Sequence, residues 1–284
     1  MQWEIANRIE QINAESGFIQ SVDEITLTAN TAGSPVAYRA RETDFLWTAA
    51  VAVSTGTFRL RIFAEYEGEY LDNGPVRSEN FWGTAQLPNR HPPKFIPLNG
   101  QLTFEFFDTS GDGNTVALYL WGMRAKVCKT RPEACVGRDC CDRGRWGKGR
   151  GLFILAPPVN ATTPAQDGFT VPANGPFSGS VHVQDAYHLR VAQINASATS
   201  ALWRGNLYRI DPRDERNAYI SNAQMRSAGW TGTSTAPGRP PSSLVLHKGS
   251  DVNYEFTDLS GATNYIRPTL VCERLNDKLV AVNG

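Results

Sequence analysis

Charge of either sign is missing in net terms from this 284-residue chain: 28 Lys and Arg balance 28 Asp and Glu. No overall field therefore draws it to nucleic acid or to an anionic membrane. Long apolar runs are absent as well, which excludes a helical membrane span. The first residues, with Trp3, Glu4 and Glu10, lack the basic and then apolar pattern of a secretory signal. Catalytic grammar is scarce. The histidines His91, His182, His188 and His247 form no His-x-x-x-His pair, and no nucleophile elbow, phosphate loop or dinucleotide fingerprint occurs. Neither an enzyme nor a cofactor is expected. Helical periodicity is confined to Ile5, Ile9 and Ile12, whose spacing predicts a short helix ending at Ser16-Gly17.

What is present is a repeat. Gly100, Gln-Leu-Thr-Phe-Glu-Phe-Phe, Asp108, Ser110, Gly111, Asn114 and an apolar run ending at Arg124 are answered by Gly249, Asp258, Ser260, Gly261, Asn264 and a run ending at Arg274. Upstream, Tyr70, Asn73, Arg77, Ser78 and Gly83 are answered by Tyr219, Asn222, Arg226, Ser227 and Gly232. So long a period fits a duplicated domain rather than a solenoid unit.

Within each copy the apolar period is two. Phe58, Leu60 and Ile62 alternate with polar neighbours, as do Leu102, Phe104 and Phe106, then Val116, Leu118 and Leu120; Val252, Tyr254 and Phe256 do so in the second half. Such stretches are half-buried strands. Turn signals between them, including Asp72-Asn73-Gly74-Pro75 and Leu98-Asn99-Gly100, with no alternating helices, predict antiparallel sandwiches of jelly-roll type. The expected all-β organisation is a helical arm over 1–20, a first module over 21–127, a connector over 128–155 and a second module over 156–284.

The connector differs in kind. Across 125–152 eight basic residues face three acidic ones, and it holds Cys128, Cys135, Cys140 and Cys141, four of the five cysteines. Their spacing does not give paired Cys-x-x-Cys knuckles, so disulfides suit this core-free loop better than zinc. An odd total leaves one sulfur over. Cys272, on a predicted strand, reads as a buried thiol, and Cys140 or Cys141 as a link between subunits. Trp146 among arginines could grip a single strand, but no nucleic-acid fold surrounds it.

Asp108, Ser110, Asp112 and Asn114 set oxygens at alternate positions, as a calcium loop does. The second copy has Ala262 in place of Asp112, so a hairpin connection capped by Asp and Ser is the stronger reading. Phe81-Trp82-Gly83 and Trp230-Thr231-Gly232, read as loops, are candidates for a contact surface together with Ile5, Ile9, Ile12 and Trp146.

The strand of Gly-Gln-Leu-Thr-Phe-Glu-Phe, then Asp-x-Ser-Gly-x-x-Asn and a strand ending in Arg, present at 100–124 and again at 249–274, resembles the jelly-roll structural proteins of tailed bacteriophage particles, of minor capsid, decoration or collar class. The resemblance covers most of both modules and leaves out the connector. It implies a virion protein, assembled in the host cytoplasm, whose partners are itself and other virion proteins. The alternative implied by tandem sandwiches is a glycan-binding module used in attachment, with Trp82 and Trp230 as its stacking platform.

Overall fold

The two-residue period becomes strands throughout. The computed structural model describes residues 18–41, 44–124, 151–157, 167–184, 187–210, 217–240 and 244–275; the helix expected on Ile5, Ile9 and Ile12 lies outside them. The first module contains β1 (Phe18–Ser21), β2 (Ile25–Leu27), β3 (Val36–Arg39), β4 (Phe45–Ser54), β5 (Phe58–Ala64), β6 (Glu69–Tyr70), β7 (Val76–Arg77), the single helical turn α1 (Ser78–Phe81), β8 (Asn89–Ile96), β9 (Gln101–Asp108) and β10 (Asn114–Arg124). The second contains β11 (Gly151–Leu155), β12 (Phe169–Val171), β13 (Pro176–His182), β14 (His188–Ala198), β15 (Trp203–Ile210), β16 (Asn217–Tyr219), β17 (Met225–Arg226), a 3-10 turn (Ser227–Gly229), β18 (Leu244–Leu246), β19 (Asp251–Asp258) and β20 (Asn264–Leu275).

In the first module one sheet runs β1–β10–β4–β8, with β2 also on β10, and the other runs β3–β9–β5–β6, with β7 also on β5. The second module repeats both orders as β11–β20–β14–β18 with β12, and β13–β19–β15–β16 with β17. Successive strands thus cross between two antiparallel sheets, which is the jelly roll. Each chain half is one such sandwich, and the all-β, duplicated fold read from the sequence is the one found.

The repeat extends to irregularities. β4 and β10 slip register beside Trp47 and Gly122, and β14 and β20 slip at Val191 and Gln193 opposite Cys272, so each module carries the same bulge. The turn after β9 is also duplicated. Asp108 accepts the Asn30 N–H at 2.9 Å and the Ser110 hydroxyl at 2.7 Å, and Asp258 accepts the Asn174 N–H at 3.1 Å and the Ser260 hydroxyl at 2.7 Å. Asn30 and Asn174 sit at φ 52° and 51°, Gly111 and Gly261 at 84° and 79°. Burial alone would raise the Asp108 and Asp258 carboxyls, but the hydroxyl and N–H donors around them outweigh it and hold both below the usual carboxylate range. Asn114 turns its Oδ1 to the Gly56 N–H at 2.9 Å. Asp108, Ser110 and Asn114 are therefore engaged in a capped turn; it leads from β9 in one sheet to β10 in the other, so the connection is a crossover between sheets and not the hairpin expected.

Each module has its own core, but the first core is not built from the first module alone. Leu152, Ile154 and Ala156, with Val271, join Trp47, Leu60, Leu71 and Phe104 in one buried cluster. Two boundaries move as a result. Gly151–Leu155, expected in the connector, is the outer strand of the second module, and β1 begins at Phe18, inside the stretch expected to be a helical arm.

Candidate assembly interface

The expected contact aromatics are the main correction. Phe81 is 0% exposed, Trp82 4% and Trp230 7%. The cause lies in the glycines that follow them. Gly83 bridges to Val51 of β4 and Gly232 to Asn195 of β14, each in parallel fashion, and a Cβ at either would lie within 2.4 Å of backbone atoms. Close approach of the backbone turns the preceding rings inward. Trp47, Phe81, Trp82 and His91 then pack ring on ring, with the Trp47 and His91 centroids 4.5 Å apart, and Trp230 meets Trp203 edge-on at 6.0 Å. No sugar-stacking platform is left at Trp82 or Trp230. Burial drops the His91 pKa to about 4 and raises the thiol of Cys272, which is buried and free as expected. Cys128, Cys135, Cys140, Cys141 and Trp146 lie outside the described residues, as do Ile5, Ile9 and Ile12.

Sequence reading missed the surface where the two modules meet. Its centre is backbone: the Ile154 N–H donates to Leu71 O at 2.8 Å, and the Asn73 N–H donates to Ile154 O at 3.2 Å. The Asn73 side chain then clamps Ala156 from both sides, accepting its N–H at 2.7 Å and donating to its carbonyl at 2.9 Å. Gly151 passes so close to the first module that a Cβ there would meet Pro93 O at 2.2 Å. Below this, α1 grips the second module. Asn80 donates to Arg267 O at 2.9 Å and Thr269 Oγ1 at 3.0 Å, and Asn195 donates back to Asn80 O at 2.8 Å.

Charge closes the two ends. Arg274, 2% exposed, donates to Glu69 Oε2 at 3.0 Å and to Tyr70 O at 2.9 Å, and its guanidinium lies between the rings of Phe153 and Tyr187. Glu67, 3.7 Å from Arg274, takes Lys94 Nζ at 2.7 Å. At the other end Asp167 pairs with Arg59 at 2.6 Å and Arg77 at 3.3 Å. Buried ions cost several kcal/mol each unless paired, so these pairs fix how the modules meet more than they add stability. Asp72, 0% exposed, accepts Arg61 Nε at 3.0 Å and the Ile62 N–H at 2.7 Å, yet burial lifts its pKa to about 7. No spacing rule finds such pairs, because Arg274 and Glu69 stand 205 positions apart.

A cavity at this joint, lined by Arg77, Asn80, Asp167 and Arg267 among others, holds about 20 Å³, room for little more than a water molecule. Among the described residues no three His, Cys, Asp or Glu side chains gather as a metal site requires, and no helix is long and apolar enough to cross a membrane. The geometry is that of a weld between two modules of one chain.

No family model matches the chain, and no curated protein matches it. Among solved structures it is similar to the STIV MCP, at 11% identity and a TM-score of 0.46 over 94% of this chain and 98% of that one. It also matches an archaeal virus protein described with a triple jelly-roll fold and turret assembly, at 10% identity and a TM-score of 0.28, covering 89% of this chain and 59% of that one. A third match is the PBSX exported protein XepA, at 13% identity and a TM-score of 0.23, covering 89% and 86%. At these identities and scores the likenesses carry no argument about function.

Proposed function

We propose that this chain is a structural protein of a virus particle, a minor capsid, decoration or collar component of the tailed-phage kind, that works by binding further copies of itself and other particle proteins. One observation carries the reading: a jelly roll that presents a socket, with a second jelly roll of the same design seated in it through Ile154. A module that binds its own kind through buried backbone bonds, apolar packing and paired ions is the elementary part of a tiled assembly. The connector's Cys128, Cys135, Cys140 and Cys141 supply covalent links that strengthen the assembly once oxidised. Sedimentation velocity of the purified full chain, with and without reductant, tests this. A discrete large oligomer that loosens on reduction supports the whole reading. Association indifferent to reductant removes the disulfides and keeps the structural role, and a monomer at every concentration overturns the role.

A further inference from the structure

The joint inside the chain has an unused duplicate. Strand register defines it: Ile19 pairs with Trp121 on β10 as Ile154 pairs with Val271 on β20, and Trp121 and Val271 occupy matching positions in the repeated strands. Ile19 therefore stands where Ile154 stands. Ile154 is 0% exposed, filling the first module's socket; Ile19 is 52% exposed.

The socket is duplicated too. In the first module the Leu71 N–H donates to Ile62 O at 2.8 Å, and in the second the Ile220 N–H donates to Leu207 O at 3.0 Å, so Leu71–Asn73 and Ile220–Asn222 leave their sheets in the same way. Leu71 and Asp72 are fully buried beneath the second module, whereas Ile220 and Ser221 are half-buried and Asn222 is exposed. Tyr219 beside them is 44% exposed. One chain thus carries an open plug on its first module and an open socket on its second, and their counterparts join inside the same chain.

We infer that copies of this chain join head to tail through these surfaces, Ile19 of one copy seating on Ile220–Asn222 of the next. This rests on the self-assembling role proposed above and names its contact. The Ile19 N–H donates to Ile220 O and the Asn222 N–H to Ile19 O, as the Ile154 and Asn73 amides do within the chain. The copy is not complete. Ala218 stands at the place of Glu69 and Gly229 at the place of Asn80, so the partner of Arg274 and the amide clamp of α1 have no duplicate. Fewer anchors make the joint between copies the looser of the two, suited to assembly from folded subunits. A plug that meets a different surface is a heterologous contact, which closes into a ring or runs on as a filament according to its rotation.

Two measurements on the full chain test it. Sedimentation across a concentration range should show Ile19→Asp and Ile220→Asp each weakening self-association tenfold or more, since a carboxylate would be buried without a partner; unchanged melting of the isolated subunit shows that the fold survives. Mixing an Ile19→Cys chain with a Ser221→Cys chain under mild oxidation should give a 19-to-221 disulfide between different chains, identified by peptide mapping. If the wild type associates but both variants associate equally well and no such bond forms, the joint is wrong and the structural role stands. A wild type that stays monomeric overturns both.

Discussion

Leu71–Asn73 and Ile220–Asn222 are two copies of one segment with opposite fates. In the first, Leu71 and Asp72 are buried and Asn73 half-buried, with Ile154 closing the Leu71 carbonyl and the Asn73 amide; in the second, Ile220 and Ser221 are half-buried and Asn222 exposed. The same contrast runs on through Val76, Arg77 and Asn80, all buried, and Met225, Arg226 and Gly229, all at least partly open. Propensity cannot explain it, because the turn chemistry before and after is shared. Burial here belongs to the pairing of modules and not to the module, so a repeat read one copy at a time misjudges which of its residues are core.

The sharpest way to break the comparison is to place the same charge at both plugs. Ile154→Asp buries a carboxylate in the first core and is expected to cost on the order of 5 kcal/mol, enough to separate the unfolding of the two modules in a denaturant titration. Ile19→Asp, its repeat counterpart, should leave the isolated subunit within about 0.5 kcal/mol of the wild type. Next in size, Arg274→Ala should cost about 3 kcal/mol by stripping Glu69 and the Tyr70 carbonyl of their buried donor, again read from denaturant midpoints.

Two groups near the joint make its pH response a balance. His91 has its pKa lowered to about 4, so between that value and the ordinary imidazole range the unfolded chain binds the extra proton, and stability falls on acidification through that window. Asp72, raised from 3.8 to about 7, binds its proton first in the folded chain, so its contribution is fully present below pH 3.8 and is lost as pH rises toward 7. The two oppose each other, and a tenfold change in proton affinity on folding corresponds to ~1.4 kcal/mol for either group. Asp72→Asn should therefore expose a loss of stability from pH 7 to pH 4.5, whereas His91→Gln should expose a gain, both measured by urea unfolding at the two pH values. The last comparison sharpens the likeness of the copies instead. Asp108→Ala and Asp258→Ala, which orphan the same turn donors, should each cost about 1–3 kcal/mol and differ little from one another in melting temperature.

The strands and the duplication were legible because a period of two and a capped turn are local signals: Leu102, Phe104, Phe106 and the Asp108 turn fall where their pattern puts them. Gly151–Leu155 was missed as a strand because the spacing of the repeat is not constant. It is 150 between Asp108 and Asp258 but only 135 between Ile19 and Ile154, so no fixed offset lines up the first strands. Phe81, Trp82 and Trp230 read as loop residues, yet they are buried where Gly83 and Gly232 bridge to β4 and β14, a contact between distant segments that no local pattern announces. His188 and His247, scattered in sequence, lie with Nδ1 atoms 3.2 Å apart across neighbouring strands. Arg274 with Glu69, and Asp167 with Arg59, were illegible for the same reason, since register and module docking, not spacing, bring them together.

Amide hydrogen exchange, followed residue by residue in dilute subunit and in concentrated assembly, tests the account most directly. The Ile154 and Asn73 amides should be protected in both samples, and the Ile19 and Asn222 amides should exchange freely when dilute and become protected on assembly. Equal exchange of Ile19 and Asn222 in the two samples, with association shown to occur, would mean that copies meet elsewhere and that the second socket is not an assembly surface.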